Sequence, residues 1–166
     1  MRFSRMFPAI AIAAVMVAGN CQFAAADDRG ECKTASGDAA IEACTRAIDS
    51  KKFVKQKRVL SLLYTNRGVE YEIKKEFDKA IADHDQAIKI DPKNSVPYNN
   101  RGNAYAAKAD WEHAVADFDM AIKLNPKYAE AFFNRGLAKR NRGDTEGSET
   151  DIAQAKELQP GIGATQ

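Results

Sequence analysis

The sequence has few of the residue types on which catalytic and metal sites depend. Its 166 residues include two histidines, three cysteines and one tryptophan. The histidines, His84 and His113, lie 29 residues apart, and no group of cysteines and histidines has the spacing of a zinc site. The chain also lacks a nucleophile elbow and a glycine-rich phosphate loop. We therefore predict a protein that is not an enzyme and that holds neither a metal nor a cofactor.

An excess of charge of one sign is also missing. The chain has 25 basic and 23 acidic residues, and two of the basic ones, Arg2 and Arg5, lie in the first 26 residues. The remaining 140 residues therefore carry 23 charges of each sign. A nucleic-acid-binding domain needs a clear basic excess on one face, so no nucleic-acid partner is expected.

Long hydrophobic runs are confined to the N-terminus. Residues 1–5 include two arginines, residues 6–18 are almost wholly apolar, and residues 24–26 are three alanines. This is the layout of a secretory signal peptide, and the apolar run is too short to span a bilayer. We predict cleavage after Ala26 and an exported, periplasmic or secreted protein. An uncleaved anchor and a lipid on Cys21 are the alternatives, although Asn20 replaces the small residue that precedes a lipidated cysteine.

Removal of residues 1–26 leaves two cysteines, Cys32 and Cys44. An even pair in an exported chain predicts a disulfide, because oxidising compartments preserve such bonds. Eleven residues separate the two cysteines, whereas a redox-active pair keeps only two residues between its thiols. The predicted disulfide is therefore a structural staple rather than a catalytic pair.

One motif repeats along the chain with a period of 34 residues. Asn-Arg-Gly occurs at residues 66–68, 100–102 and 134–136, and prolines keep the same step at Pro92, Pro126 and Pro160. A fixed period of this length indicates stacked units, and small and apolar residues at helical spacing indicate two helices in each. We predict three units within residues 61–160, each ended by its proline, and a flexible tail at residues 161–166.

The recurring glycine needs a packing reason, since glycine in a helix interior costs about 0.5–1 kcal/mol. We expect a close approach of the neighbouring helix at Gly68, Gly102 and Gly136, with Ala80 or Ala114 as the small residue that faces it.

Residues 27–60 precede the first unit. Residues 27–36 are polar and predicted to be irregular, and residues 39–50 have the pattern of the second helix of a later unit, so they form a partial repeat. A basic strip without acidic residues follows, made of Lys51, Lys52, Lys55, Lys57 and Arg58. It is interpreted as a solvated connector, with a docking strip for acidic lipid headgroups or an acidic protein as the alternative.

The middle unit carries a pattern that resembles the tetratricopeptide repeat. Its residues are Tyr98, Gly102, Tyr105, Trp111, Ala114, Phe118, Ala121 and Pro126. The first unit departs from the pattern at His84, and the third departs at Lys139, Thr145 and Ser148, so residues 152–159 are expected to cap the array. The resemblance implies an all-α, right-handed α-solenoid with three full repeats and an N-terminal partial repeat. With the export segment, it predicts a small exported bacterial protein of this family.

In this family the first helices of the units line a concave groove that holds a partner. The resemblance places eight candidate contact residues in the groove, namely Asn66, Val69, Asn99, Asn100, Asn103, Phe133, Asn134 and Leu137, with Leu62, Thr65 and Ile73 beside them. An asparagine amide both donates and accepts hydrogen bonds, so it can bind a peptide backbone whatever its sequence. The alternative is that the asparagines only bond neighbouring helices.

One subgroup of the family grips the C-terminal carboxylate of heat-shock chaperones with lysine, asparagine and arginine side chains. The corresponding places here hold Thr65, Val69, Asn100, Glu130 and Asn134. Only Asn100 fits, and the carboxylate of Glu130 would repel that of the ligand. We do not expect this chain to share the activity of that subgroup.

A column of arginines, Arg67, Arg101 and Arg135, has the same period as a column of aspartates, Asp83, Asp117 and Asp151. Ion pairs between adjacent helices are the interpretation, and a phosphate-binding row is the alternative.

Together these features predict a non-catalytic interaction module or scaffold of the bacterial envelope that binds a protein or peptide segment in its groove. Two alternatives stay open: a membrane-peripheral factor that acts through the basic strip, and an accessory subunit of an envelope enzyme complex.

Overall fold

The computed structural model describes residues 24–163. Most of the predicted secretory segment, including Cys21, and residues 164–166 of the predicted tail lie outside the described residues. Residues 24–163 form eight α-helices and no strand, so the predicted all-α class is confirmed. Within that range no helix combines the length and the apolar character needed to cross a bilayer.

The helices form four consecutive hairpins. The N-terminal hairpin consists of α1 (Ala24–Thr34) and α2 (Gly37–Asp49), and the first unit of α3 (Lys57–Ile73) and α4 (Phe77–Ile90). The second unit consists of α5 (Ser95–Ala107) and α6 (Trp111–Leu124), and the third of α7 (Ala129–Asn141) and α8 (Thr145–Leu158). The two helices predicted for each 34-residue period are thus present.

The hairpins stack into two layers. Each helix packs against the next one in the chain, and α1, α3, α5 and α7 also contact one another in succession. Because short turns join consecutive helices, α1, α3, α5 and α7 run in one direction and α2, α4, α6 and α8 in the other. The turns within hairpins therefore lie along one edge of the array, and the turns between hairpins along the opposite edge.

The prolines end the second helices as predicted. Asp91, Asn125 and Gln159 follow α4, α6 and α8, and each precedes a proline. Their φ angles are −133°, −135° and −140°. Proline disfavours the helical conformation in the residue before it, so the same local rule stops the helix in all three units.

The recurring glycines allow a close approach between the two helices of a unit. A Cβ at Gly68 would lie 2.5 Å from the ring of His84, and one at Gly102 would lie 2.7 Å from the ring of Phe118. The expected close approach is confirmed, but the identity of the facing residue was predicted wrongly. The glycine is contacted by the large side chain 16 positions later in the sequence, which projects from the second helix toward the first.

The N-terminal hairpin differs from the sequence expectation. Residues 27–36 were predicted to be irregular, yet α1 extends to Thr34. Asp28 is buried and its Oδ1 lies 2.8 Å from Nε of Arg46 on α2. Cys32 packs with Cys44 and Leu63 in a buried apolar cluster. These contacts with other helices stabilise a helix whose own sequence is polar, so the expected partial repeat has both of its helices. The predicted cleavage point after Ala26 falls within α1.

The last helix presents polar side chains where inner helices present apolar ones. Glu149 and Lys156 of α8 take the positions that Val115 and Ile122 occupy in α6. Val115 is 8% exposed, whereas Glu149 and Lys156 are both exposed. The outer face of α8 is therefore suited to water, as a terminal unit requires.

We predict opposite effects for two Gly→Ala substitutions. Gly102→Ala should lower the free energy of unfolding by about 1–3 kcal/mol, because the new methyl group overlaps the ring of Phe118. Gly30→Ala in α1, where nothing lies within 4 Å of the added Cβ, should raise it by about 0.5–1 kcal/mol. Urea unfolding followed by circular dichroism measures both, and equal effects of the two substitutions would contradict the close-approach assignment.

The staple between Cys32 and Cys44 is a second prediction. The two cysteines face each other across the N-terminal hairpin with their Cα atoms 4.7 Å apart, and the structure joins them by a disulfide. Closing this short loop should stabilise the fold by about 3 kcal/mol through the entropy of the unfolded chain. Thiol labelling of the protein purified without reductant should modify neither Cys32 nor Cys44 before reduction and both after it. Full labelling without reductant would rule the disulfide out.

Candidate functional site

The face on which the concave groove is expected, called the concave face below, is formed by four helices rather than the three expected. Besides α3, α5 and α7, helix α1 lies on this face, and it forms a recess of about 280 Å³ against α3. The residues that line this recess are Cys32, Lys33, Ala35, Leu62, Asn66, Val69 and Glu70. This recess therefore contains two predicted contact residues, Asn66 and Val69, together with side chains of α1. The sequence analysis did not predict the α1 side chains, because it expected this segment to be irregular.

A second recess of about 260 Å³ lies farther along the same face. Three of the residues that line it are the predicted contact residues Asn103, Asn134 and Leu137. Trp111 and Phe118 contribute aromatic surface to its walls. This recess combines apolar walls with amide groups, which is the composition of a site for a peptide side chain and its backbone.

The asparagines of α5 and α7 are bonded to one another. Nδ2 of Asn134 donates to Oδ1 of Asn103 at 3.0 Å and to Oδ1 of Asn99 at 3.3 Å. Nδ2 of Asn99 in turn donates to Oδ1 of Asn100 at 3.4 Å, and Asn99 is only 5% exposed. The structure thus assigns Asn99 and Asn134 the inter-helix role that was the alternative for these residues.

Asn66 and Asn100 retain hydrogen-bonding capacity toward a partner. The Asn66 side chain makes no hydrogen bond to any residue in the range 24–163, and the Asn100 amide nitrogen donates to none of them. Both residues are half-buried on the first helices of their units. These two amides are therefore the members of the predicted set best placed to bind a peptide backbone.

The apolar part of the groove differs from the expectation. A Cβ built on Gly163 would lie 2.5 Å from the ring of Phe133, so the C-terminal segment packs against this predicted contact residue, which is half-buried. Leu62 is 43% exposed and Val96 is 40% exposed. Val96 was missed, although it follows Leu62 by the same 34-residue step that relates the asparagines. Thr65 was expected to line the groove but is buried, and its hydroxyl donates to the carbonyl of Ser61 at 2.9 Å.

The arginine next to each glycine joins helices, as predicted. Nε and Nη2 of Arg101 donate to the two carboxylate oxygens of Asp117 at 2.8 Å and 2.6 Å. Its Nη1 donates at 2.5 Å to Asp85, which belongs to the preceding unit. Arg135 makes the equivalent bonds to Asp151 and Asp119. Each guanidinium therefore holds its own first helix against two second helices, which leaves no free basic row for phosphate.

These bonds shift the ionisation of the groups involved. Each guanidinium in the column, Arg67, Arg101 and Arg135, donates hydrogen bonds to its aspartate, and these bonds raise its pKa. Burial alone would raise the pKa of the Asp151 carboxyl, but hydrogen bonds from Arg135 and Lys139 outweigh it and hold this pKa below its usual value. Asp151 therefore remains charged at neutral pH and keeps the third unit bridged.

Both histidines have structural surroundings. His84 is fully buried beneath Gly68, and its Nε2 lies 2.7 Å from Oε1 of Glu72. His113 is exposed, bonds Asp110 and stacks on the ring of Tyr105. No group of three or more histidine, cysteine, aspartate or glutamate side chains within residues 24–163 could hold a metal ion.

No residue of the basic strip lines either of the two recesses. Lys51, Lys52 and Lys55 are in the turn between α2 and α3, whereas Lys57 and Arg58 form the first turn of α3. All five side chains are exposed.

Comparisons with known families and structures agree with this architecture. Models of the tetratricopeptide repeat and of the TPR repeat match residues 61–94 and residues 102–143, respectively. The TPR domain of Sgt2 from Aspergillus fumigatus is similar with a TM-score of 0.60 and 31% identity, over 64% of this chain and 70% of that one. Comparison with curated proteins found no match.

Two further solved structures are similar. The first TPR domain of human RPAP3 has a TM-score of 0.59 and 29% identity, over 60% of this chain and 79% of that one. That domain has also been solved with the HSP90 peptide SRMEEVD bound. The TPR domain of Arabidopsis OM64 has a TM-score of 0.61 over 63% of this chain and 86% of that one, and at 24% identity it supports the fold alone.

We predict that Arg101→Lys destabilises the array although it keeps the charge. A lysine has no planar fork with which to bond both oxygens of Asp117 and also reach Asp85. The free energy of unfolding should fall by about 1.5–3 kcal/mol. Arg142→Lys is the matched control, because Arg142 is exposed and forms no ion pair within residues 24–163. If both variants unfold at the same urea concentration, the guanidinium bridge contributes nothing.

Proposed function

The chain belongs to the tetratricopeptide-repeat family, and from this premise we propose that it is a non-catalytic module that holds a segment of a protein partner on its concave face. One observation carries the proposal. The amides of Asn66 and Asn100, which donate to no described residue, share this face with the exposed side chains of Leu62 and Val96. An extended or helical peptide requires such a combination of backbone-bonding groups and apolar contacts.

The two recesses support the binding of a segment that crosses several units. One recess lies between α1 and α3 and the other between α5 and α7, so a bound segment contacts both the N-terminal hairpin and the third unit. The inter-helix bonds of Asn99 and Asn134 keep α5 and α7 in register, which orients Asn100 and Asn103 toward the groove. Pre-orientation of this kind reduces the entropy lost on binding.

The exported location is part of the proposal. The N-terminal segment with the layout of a signal peptide supports export, and an oxidising compartment would preserve the pair Cys32 and Cys44. We place the protein in the bacterial envelope, where it serves as an adaptor for another exported protein.

Selection from a displayed peptide library tests the groove. Selected peptides should bind the full chain, and binding should weaken at least tenfold in the variant Asn66→Ala with Asn100→Ala and Leu62→Ala. The matched control replaces the exposed residues Gln86, Glu112 and Lys123 of the second helices by alanine, and it should bind like the wild type. Equal loss in both variants, or loss only in the control, would overturn the groove assignment.

The ligand of the RPAP3 domain offers a separate test of specificity. We predict no saturable binding of the peptide SRMEEVD to this chain, measured by fluorescence polarisation. Thr65 is buried and bonded to Ser61, and the exposed carboxylate of Glu130 repels an acidic peptide. Binding with a dissociation constant at or below the micromolar range would show that our interpretation of these positions is wrong.

A further inference from the structure

The two edges of the array differ in charge, although the chain as a whole is nearly neutral. The inter-hairpin edge consists of the helix ends and turns at residues 49–58, 89–93, 123–130 and 156–160. These segments carry ten lysine and arginine residues and four acidic ones, and the start of α1 at the same edge adds Asp27, Asp28 and Arg29. The opposite edge, at residues 33–38, 72–79, 106–113 and 140–147, carries seven lysine and arginine residues and eight acidic ones.

Part of this asymmetry follows from the direction of the helices. All four second helices have a basic residue in the last turn and an acidic residue in the first, an arrangement that complements the helix dipole. Because these helices run parallel, their basic ends collect at one edge. The turns add further lysines there, among them Lys55, Lys93 and Lys127, which helix dipoles do not explain.

The cations of the two edges also differ in their partners. On the opposite edge, Lys74 bonds Asp38, Lys79 bonds Glu76, and a third pair forms between neighbouring units. On the inter-hairpin edge, none of the ten cationic side chains of the four turn segments has an ion-pair partner among residues 24–163. All ten are exposed. Their charges are therefore not neutralised by ion pairs among the described residues and face the solvent.

The turns of this edge lie close enough to act as one surface. A recess of about 610 Å³ is bordered by residues from three successive units, namely Arg58 and Leu62 of α3, Asp91, Lys93 and Asn94 of the next turn with Ser95 at the start of α5, and Asn125 of the turn after that. Val54, in the turn between α2 and α3, has 56% of its surface exposed. The edge thus combines an excess of exposed cations with an exposed apolar side chain.

We propose that the inter-hairpin edge docks on an anionic lipid surface. Nine of the ten cations of its four turn segments are lysines, whose compact charges on flexible stems suit a fluid plane of headgroups better than the fixed forks with which arginine grips a folded acidic protein. The exposed Val54 inserts between headgroups. Helix α1 begins at this same edge.

The docking surface and the groove share Leu62, which borders both the recess of 610 Å³ and the recess between α1 and α3, and they otherwise consist of different residues. The two recesses of the concave face are lined mainly by the first helices, with Trp111 and Phe118 of α6 in one of them, whereas the docking surface lies at the ends of the helices. A membrane at this edge therefore leaves the groove open to a partner along the membrane plane.

Sedimentation with vesicles tests the proposal. The full chain should bind vesicles that contain phosphatidylglycerol more tightly than vesicles of phosphatidylcholine alone, and the difference should shrink as salt screens the charges. The triple variant Lys55→Glu, Lys93→Glu and Lys127→Glu takes one lysine from each of three turns. It should reduce binding to the anionic vesicles at least tenfold, because each lysine near such a surface contributes favourably.

The matched control is Lys75→Glu with Arg140→Glu and Arg142→Glu. These three exposed cations lie at the opposite edge and change the net charge by the same amount. The control should bind the anionic vesicles like the wild type, and both variants should keep the helical circular dichroism of the fold. Equal loss of binding in the two variants would overturn the proposal, because vesicle binding would then depend on the net charge of the protein rather than on the inter-hairpin edge. Tighter binding of soluble polyglutamate than of anionic vesicles would overturn it in favour of an acidic protein.

Discussion

The rest of the structure depends on the contact between the two helices of a unit, which is made by residues 16 positions apart in the sequence. Gly102 lets the first helix approach the ring of Phe118, and the neighbouring Arg101 bonds Asp117 at the same separation. One apolar and one ionic contact thus fix the same two helices side by side. The arginine also reaches Asp85 of the preceding unit, so the interaction that closes a unit joins it to the array.

This constraint explains why the residues of the Asn-Arg-Gly motif have different roles. Gly102 and Arg101 point toward the second helix, where they pack and form ion pairs. One residue earlier, Asn100 turns toward the concave face because successive residues of a helix are rotated by about 100°. The groove is therefore a consequence of the packing: the interactions that hold the units together decide which side chains remain for a partner.

The same geometry collects charge at one edge. The second helices of all hairpins run in the same direction, and each has a basic residue in its last turn. A preference of single helices therefore places several cations at the same edge of the array. A neutral composition does not show such a surface. It emerges only when the turns at residues 51–56, 91–94 and 125–128 are placed side by side.

The sequence by itself determined the helical units, because its signals are local. A 34-residue period, a proline after each second helix and a glycine at each close approach act within one unit, and the observed helices follow them. The Arg-Asp pairing was also predictable from its equal period. Tertiary structure alone decided α1, whose polar sequence is held by Arg46 and the cluster around Cys44. It also decided that Asn99 bonds within the protein and that Gly163 packs against Phe133. These outcomes depend on contacts between elements far apart in the chain, and no short stretch of sequence contains them.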